Sequence, residues 1–172
     1  MILFIKINNI MNVFLSCTKA KKSTKCKAKE MYSESALFQK SYEYAQSLNP
    51  DRIYILSAKH HLLPLDQVIM PYNETLNDAT VDERKEWTEE VLKQMKSSYI
   101  DFDAKTYFFC GENYIEFLKE HFSNYESVYD GKGGIGDIMH WLDNKLGNVK
   151  ESLRDYLIYQ NKNNIKKYID IE

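Results

Sequence analysis

Three short apolar runs constrain this chain most: Asn12 to Ser16 (NVFLS), Arg52 to Leu56 (RIYIL) and Lys105 to Cys110 (KTYFFC). Each is too short for a helix with a buried face. Each is also rich in aliphatic or aromatic residues and breaks off into small or polar ones, which is the pattern of a strand covered on both faces. The residues that follow them are Cys17-Thr18-Lys19, Ser57-Ala58-Lys59-His60 and Gly111-Glu112.

Helical periodicity fills the intervals. Ser35 can cap a helix carrying Leu37, Phe38, Tyr42, Tyr44, Ala45 and Leu48, closed by Asn49-Pro50. Thr80 and Glu83 have the spacing of a capping box, and the helix they open has Trp87, Val91, Leu92 and Met95 on its apolar face. Glu112 to His121 reads as helical from Tyr114, Ile115, Phe117 and Leu118. Ser127 to Tyr129 is a weak fourth strand, followed by GKGGIG at 131–136 and a helix from about Asp137 to Leu146. This alternation predicts an α/β fold: a single three-layer αβα domain with a mainly parallel central sheet of about four strands. Leu15, Ile55 and Phe108 should lie on adjacent central strands. The expected organisation is an N-terminal extension or added edge strand over 1–10, the α/β domain over 11–147, and an amphipathic C-terminal helix over 148–172. That last helix could pack across the sheet or against a partner, including a second copy of the chain.

Composition removes several classes. At 172 residues with 44% apolar and 28% charged side chains, the chain can close one core and is neither disordered nor low in complexity. A net charge of −2 is too balanced for coating nucleic acid by bulk charge. The charge is nevertheless uneven, because the first 60 residues carry 10 basic and 4 acidic side chains. Six of the basic ones are Lys19, Lys21, Lys22, Lys25, Lys27 and Lys29, a run that is either a solvated loop or a phosphate-facing one. Cys17, Cys26 and Cys110 are odd in number and lack Cys-x-x-Cys spacing. They imply no disulfide framework and no zinc site, and a reducing cytoplasm is the expected compartment. No metal or cofactor is implied. The apolar opening MILFIKINNIMNVFL is interrupted by Lys6 and two asparagines and has no small-residue cleavage site, so neither a membrane span nor a signal is expected.

Parallel sheets bind ligands beyond the carboxyl ends of their strands. That rule places Ser16 to Lys19, Ser57 to His60, Gly111-Glu112 and Gly131 to Asp137 on one rim. The segment Leu56 to Leu76 has no period after Ala58 yet is rich in apolar residues, as an ordered loop would be. Near its end, Tyr72 could stack on a base and Asn73 could read a base edge; equally, Tyr72 could be core and Asn73 a turn cap. GKGGIG could hold an anion on its amides or simply make a tight turn, and it matches neither the Walker A loop nor the dinucleotide fingerprint. Asp66, Glu112, Asp130 and Asp137 are the acids near the presumed rim. One well-placed carboxylate can oppose the oxocarbenium-like sugar formed when an N-glycosidic bond breaks. Asp137 could instead be the charge at its helix's N-terminus. Cys17 with His60 or His61 would make a thiolate pair, set against the commoner buried strand-end cysteine. His140 sits on a helix face, and His121 ends a helix.

Taken in order, Ser16-Cys17-x-Lys19, Tyr32, Leu56 to Lys59 with Leu62 and Leu63, Pro71-Tyr72, and Gly134, Gly136, Trp141 and Leu142 resemble an uncharacterised bacterial and phage family. Its pattern is SCxK, a Tyr before a helix, LSAKxxLL, PY and GxGxxxxWL. The resemblance runs from about Met11 to Leu146. The Leu-Ser-Ala to Pro-Tyr core is similar to that of the peroxide-stress, DNA-associated YaaA family. The wider group is similar also to proteins handling modified guanine in tRNA and to DNA glycosylases that remove modified bases in phage defence. Asn73 and Glu30 depart from the pattern, which often has Asp at both places.

The resemblance implies work on a nucleobase. The expected function is an N-glycosidase-like action on a nucleobase in DNA or a nucleotide, with Asp66 or Asp137 opposing the oxocarbenium. Lys19 and Lys59 would hold phosphate, Tyr72 would stack the base and Asn73 would read it. Ser16, Cys17, Tyr32, Ser57, Gly111, Tyr114, Gly134 and Gly136 would line the substrate. The alternatives are a nucleic-acid or nucleotide binder of the YaaA type without turnover, and a structural partner protein working through its tail helix.

Overall fold

A computed structural model describes the backbone of residues 10–169 and side chains as far as Gln160; the expected 1–10 extension lies almost wholly outside the described residues. In chain order the elements are β1 (Met11–Ser16), β2 (Cys26–Lys27), α1 (Ala28–Met31), α2 (Ala36–Ser47), β3 (Arg52–Ser57), β4 (His61–Pro64) and β5 (Val68–Ile69). There follow α3 (Val81–Ser97), β6 (Lys105–Phe109), α4 (Glu112–Ile115), a single 3-10 turn at Lys119–His121, β7 (Tyr125–Ser127) and α5 (Ile135–Ile169).

Among the described residues the central sheet has five strands in the order β4-β3-β1-β6-β7. β1 pairs in parallel with β3 and β6, β6 pairs in parallel with β7, and β4 alone is antiparallel. The fold is therefore α/β with a mainly parallel sheet, as expected, with one strand more. Leu15 is in register with Ile55, and Phe14 with Phe108. Phe14, Leu15, Ile55 and Phe108 are all buried.

The extra strand has a physical reason. His61 adopts φ +60, so β3 turns back on itself within Ser57 to His61 and the apolar pair Leu62 and Leu63 becomes an edge strand beside Leu56 and Ile55. A left-handed, non-glycine residue here costs about 1 kcal/mol, and with no Gly, Asn or Pro in Ser-Ala-Lys-His-His the only local signal is histidine's modest enrichment in that region. β2 and β5 make a second, two-stranded antiparallel sheet, also unforeseen.

Ser35 caps α2 by accepting from the Phe38 amide, and Thr80 with Glu83 forms the full capping box of α3. The expected helix over Glu112 to His121 is instead α4 followed by the separate 3-10 turn. From β1 the chain crosses through α2 to β3 on one side, and from β3 through α3 to β6 on the other side of β1. Right-handed crossovers in opposite directions put α2 and α3 on opposite faces, giving the layered arrangement.

The chain divides into two compact units, Met1–Lys132 and Gly133–Glu172. The second, taken by itself, is α5 and its lead-in. α5 runs unbroken through position 148, where a boundary was expected: Gly147 and Asn148 are weak helix formers, but no Pro follows them to end the helix. Among the described residues no helix is long and apolar enough to cross a membrane.

Candidate functional site

In an open parallel sheet, loops leaving neighbouring strands toward opposite faces part to leave a crevice. Here that point lies between β1, whose chain moves toward β3, and β6, whose chain moves toward β7. Side chains from both strand ends meet there. The Cys17 amide extends the sheet by donating to the Leu56 carbonyl at 2.9 Å, and Cys17 Sγ lies 3.2 Å from the hydroxyl of Tyr114, the third residue of α4. Gly111 opens α4 and accepts from the Tyr114 amide at 3.0 Å, so it positions that tyrosine. Arg84 of α3 braces α4 by an ion pair to Glu116 at 3.1 Å.

Beside this contact is a buried set of hydroxyls. Tyr72 Oη is 2.6 Å from Tyr32 Oη and 2.7 Å from Ser57 Oγ, and Ser57 Oγ also accepts from the His60 amide at 3.0 Å. The strained His61 turn presents that amide. Trp87 of α3 donates its indole N–H to the Ser57 carbonyl at 3.0 Å and meets Tyr114 edge to face. Burial drives the phenols of Tyr32, Tyr72 and Tyr114 well above the usual tyrosine range, with the nearby Cys17 acting in the same direction. All three therefore stay neutral and work as hydrogen-bonding groups. The Cys110 thiol is pushed up by complete burial and donates toward the Phe14 carbonyl, which marks it as a core residue.

Basic side chains roof the cluster. Lys21 Nζ donates to the Thr18 carbonyl at 2.8 Å and sits 4.4 Å from the centroid of the Tyr72 ring and 5.9 Å from that of Tyr32. Its pKa is lowered by burial, against opposing contributions from Cys17 and Glu74. Lys59 Nζ lies 5.9 Å from the Tyr72 centroid and pairs with Glu74 at 3.1 Å. His60 meets Tyr72 edge to face, and its Nε2 is buried with no hydrogen-bond partner among the described residues. Its pKa is lowered by burial and then by Lys59, so the ring is neutral near pH 7. A surface hollow of about 460 Å³ at the opposite edge, lined by Met11, Asp101, Asp103 and Lys105 among others, carries none of the motif residues.

Of the residues singled out from sequence, Cys17, Tyr32, Ser57, Lys59, Tyr72 and Tyr114 come together, with Ser16 and Gly111 at the strand ends behind them. Lys19 is exposed on the loop. Asn73 is exposed, and its backbone amide donates to Glu74 Oε2. Asp66 sits elsewhere, between β4 and β5, in ion pairs with Lys27 at 3.3 Å and Lys29 at 2.9 Å that hold its carboxyl below the usual range. Cys17 meets Tyr114 rather than either histidine of the weighed thiolate pair; His61 stacks on Trp87 instead.

Gly134, Gly136 and Asp137 belong to the second unit. There Asp137 Oδ2 accepts from the Gly134 amide at 3.1 Å, and a Cβ on Gly133 would fall 2.3 Å from that oxygen, so this turn is fitted to its own carboxylate. His140 is bonded to Asn144. Among the described residues no group of three or more His, Cys, Asp or Glu side chains is placed to hold a metal.

Trp87 and Glu74 escaped the sequence reading as site residues, and Lys21 was weighed there only within a run of six lysines that could face phosphate. Lys21 is indistinguishable in sequence from its five neighbouring lysines. Trp87 reads as helix core, and Glu74 is one of many exposed acids, its only signal being its place two residues after Tyr72.

No curated protein and no solved structure matches the chain. A family model does match, over residues 13–144, which takes in β1 through the first turns of α5 and therefore every element of the cluster. The chain belongs to DUF6884, a family of unknown function.

Proposed function

We propose that the crevice between β1 and β6 binds a nucleotide, free or in a nucleic-acid strand, and that its reaction is N-glycosidic release of the base. The observation that carries this reading is the meeting of Cys17, Tyr32, Ser57, Tyr72 and Tyr114 at a sheet's carboxyl edge beneath Lys21 and Lys59. Neutral hydroxyls and an aromatic ring suit a nucleobase, which needs hydrogen bonds at its edge and a surface for its face. Lysines at the mouth suit the adjoining phosphate.

Cleavage also needs a carboxylate. Asp66 is neutralised by two lysines and Asp137 caps its own turn, so Glu74 is the acid best placed to serve the crevice. Its pairing with Lys59 favours a second reading, that the protein binds without turnover, because an acid held by a lysine is a poor partner for a developing cation.

Mass spectrometry of bases released from a panel of unmodified and modified DNAs, with binding measured in parallel, separates the two. Released base in proportion to protein supports the glycosidase. Salt-sensitive binding without product supports the binder. Neither binding nor release overturns both.

A further inference from the structure

We propose that this site accepts phosphorylated nucleotides and rejects free bases and nucleosides, because the ammonium of Lys21 occupies the face of Tyr72 on which a base would stack. The inference rests on the reading above that the crevice binds nucleotides with the base at Tyr72. Lys21 Nζ is 4.4 Å from the Tyr72 ring centroid. A stacked base would lie on the order of 3.5 Å from the ring, so base and ammonium exclude each other on that face. Tyr72 is only 7% exposed, which leaves no other open face.

The ammonium is held in place by the Thr18 carbonyl at 2.8 Å and by the negative faces of Tyr72 and Tyr32. It is half-buried and has lost part of its hydration without a carboxylate in contact among the described residues to replace it, while its neighbours Lys59, Lys27 and Lys29 each have one. A phosphate entering the mouth of the crevice offers the charge-assisted hydrogen bonds that this lysine lacks. Drawn to that phosphate, the side chain leaves the ring and the base can take its place. A nucleoside must displace the same ammonium with no charge to compensate it. The loop is anchored close by, since the Lys22 amide donates to the Met31 carbonyl at 2.8 Å; the motion required is therefore one of the Lys21 side chain.

Calorimetric titration of the full chain tests this with the four deoxynucleoside 5′-monophosphates, the four matching nucleosides and a short oligothymidylate. The parent should bind at least one mononucleotide about tenfold or more tightly than its nucleoside. Lys21→Gln should bring that pair within about twofold, weakening the nucleotide and strengthening the nucleoside because the ring is freed; loss of a simple charge contact would not produce the second effect. Lys21→Arg, which keeps the charge over the ring, should retain the preference. An undiminished preference in Lys21→Gln, equal binding of nucleoside and nucleotide by the parent, or oligothymidylate binding without any mononucleotide binding overturns this inference alone. Failure of the parent to bind any nucleotide or the oligonucleotide overturns the proposed function and this inference with it.

Discussion

Phe14→Ala should lower the free energy of unfolding by about 3–5 kcal/mol, the largest loss expected of any single truncation in the sheet. Phe14 lies on the central strand, fully buried, with its ring stacked on Phe108 at 5.4 Å and Tyr54 at 6.3 Å and meeting Phe122 edge on at 5.8 Å. Rigid strands on both sides keep the cavity from collapsing, so the lost contacts are not recovered. Urea unfolding followed by tryptophan fluorescence measures it. A loss below about 1 kcal/mol would mean that β1 is not the centre of the core.

Truncation at Tyr72 should divide stability from binding. Tyr72→Phe removes the hydroxyl shared by Tyr32 and Ser57, leaving two buried groups short of a partner, and should cost about 1–3 kcal/mol of stability while keeping the ring proposed to stack a base. Tyr72→Ala also removes the ring, worth on the order of 1–3 kcal/mol per stacked base, and should weaken nucleotide binding by about one to two decades beyond the phenylalanine variant. Titration at a temperature where both variants remain folded is the check. Equal affinities for the two would show that the ring faces no base.

The contrast between these two sites reflects what a sequence can announce. Phe14, Leu15, Ile55 and Phe108 declare themselves because a strand covered on both faces must be apolar throughout, and their pairing follows from the alternation of strands and helices. Ser35, Thr80 and Glu83 are equally legible, since a cap is a local interaction between residues three apart. β4 was hidden because its reversal depends on a left-handed His61, a conformation that histidine signals far more weakly than glycine or an Asn-Gly turn would.

The cluster was legible as a rim and only partly as a site. Strand ends locate Cys17 and Ser57, and Pro71-Tyr72 stands out within an aperiodic loop. The meeting of Tyr72 with Tyr32, 40 positions away, and of Cys17 with Tyr114, 97 away, depends on tertiary packing that no spacing encodes. The surroundings of the acids were the least legible: two lysines pair with Asp66, the Gly134 amide bonds Asp137 and Lys59 pairs with Glu74, and none of these partners follows from spacing alone.

Amide hydrogen exchange of the full chain, with and without saturating oligothymidylate, tests whether nucleotides bind in the crevice between β1 and β6. Exchange should slow over 17–25, 57–61 and 71–76, the three segments that carry Cys17, Lys21, Ser57, Lys59 and Tyr72, with little change in β7 or in the hollow beside Asp101 and Asp103. Protection confined to that hollow or to α5, with the three segments unchanged under conditions where binding is saturated, would contradict binding in the crevice.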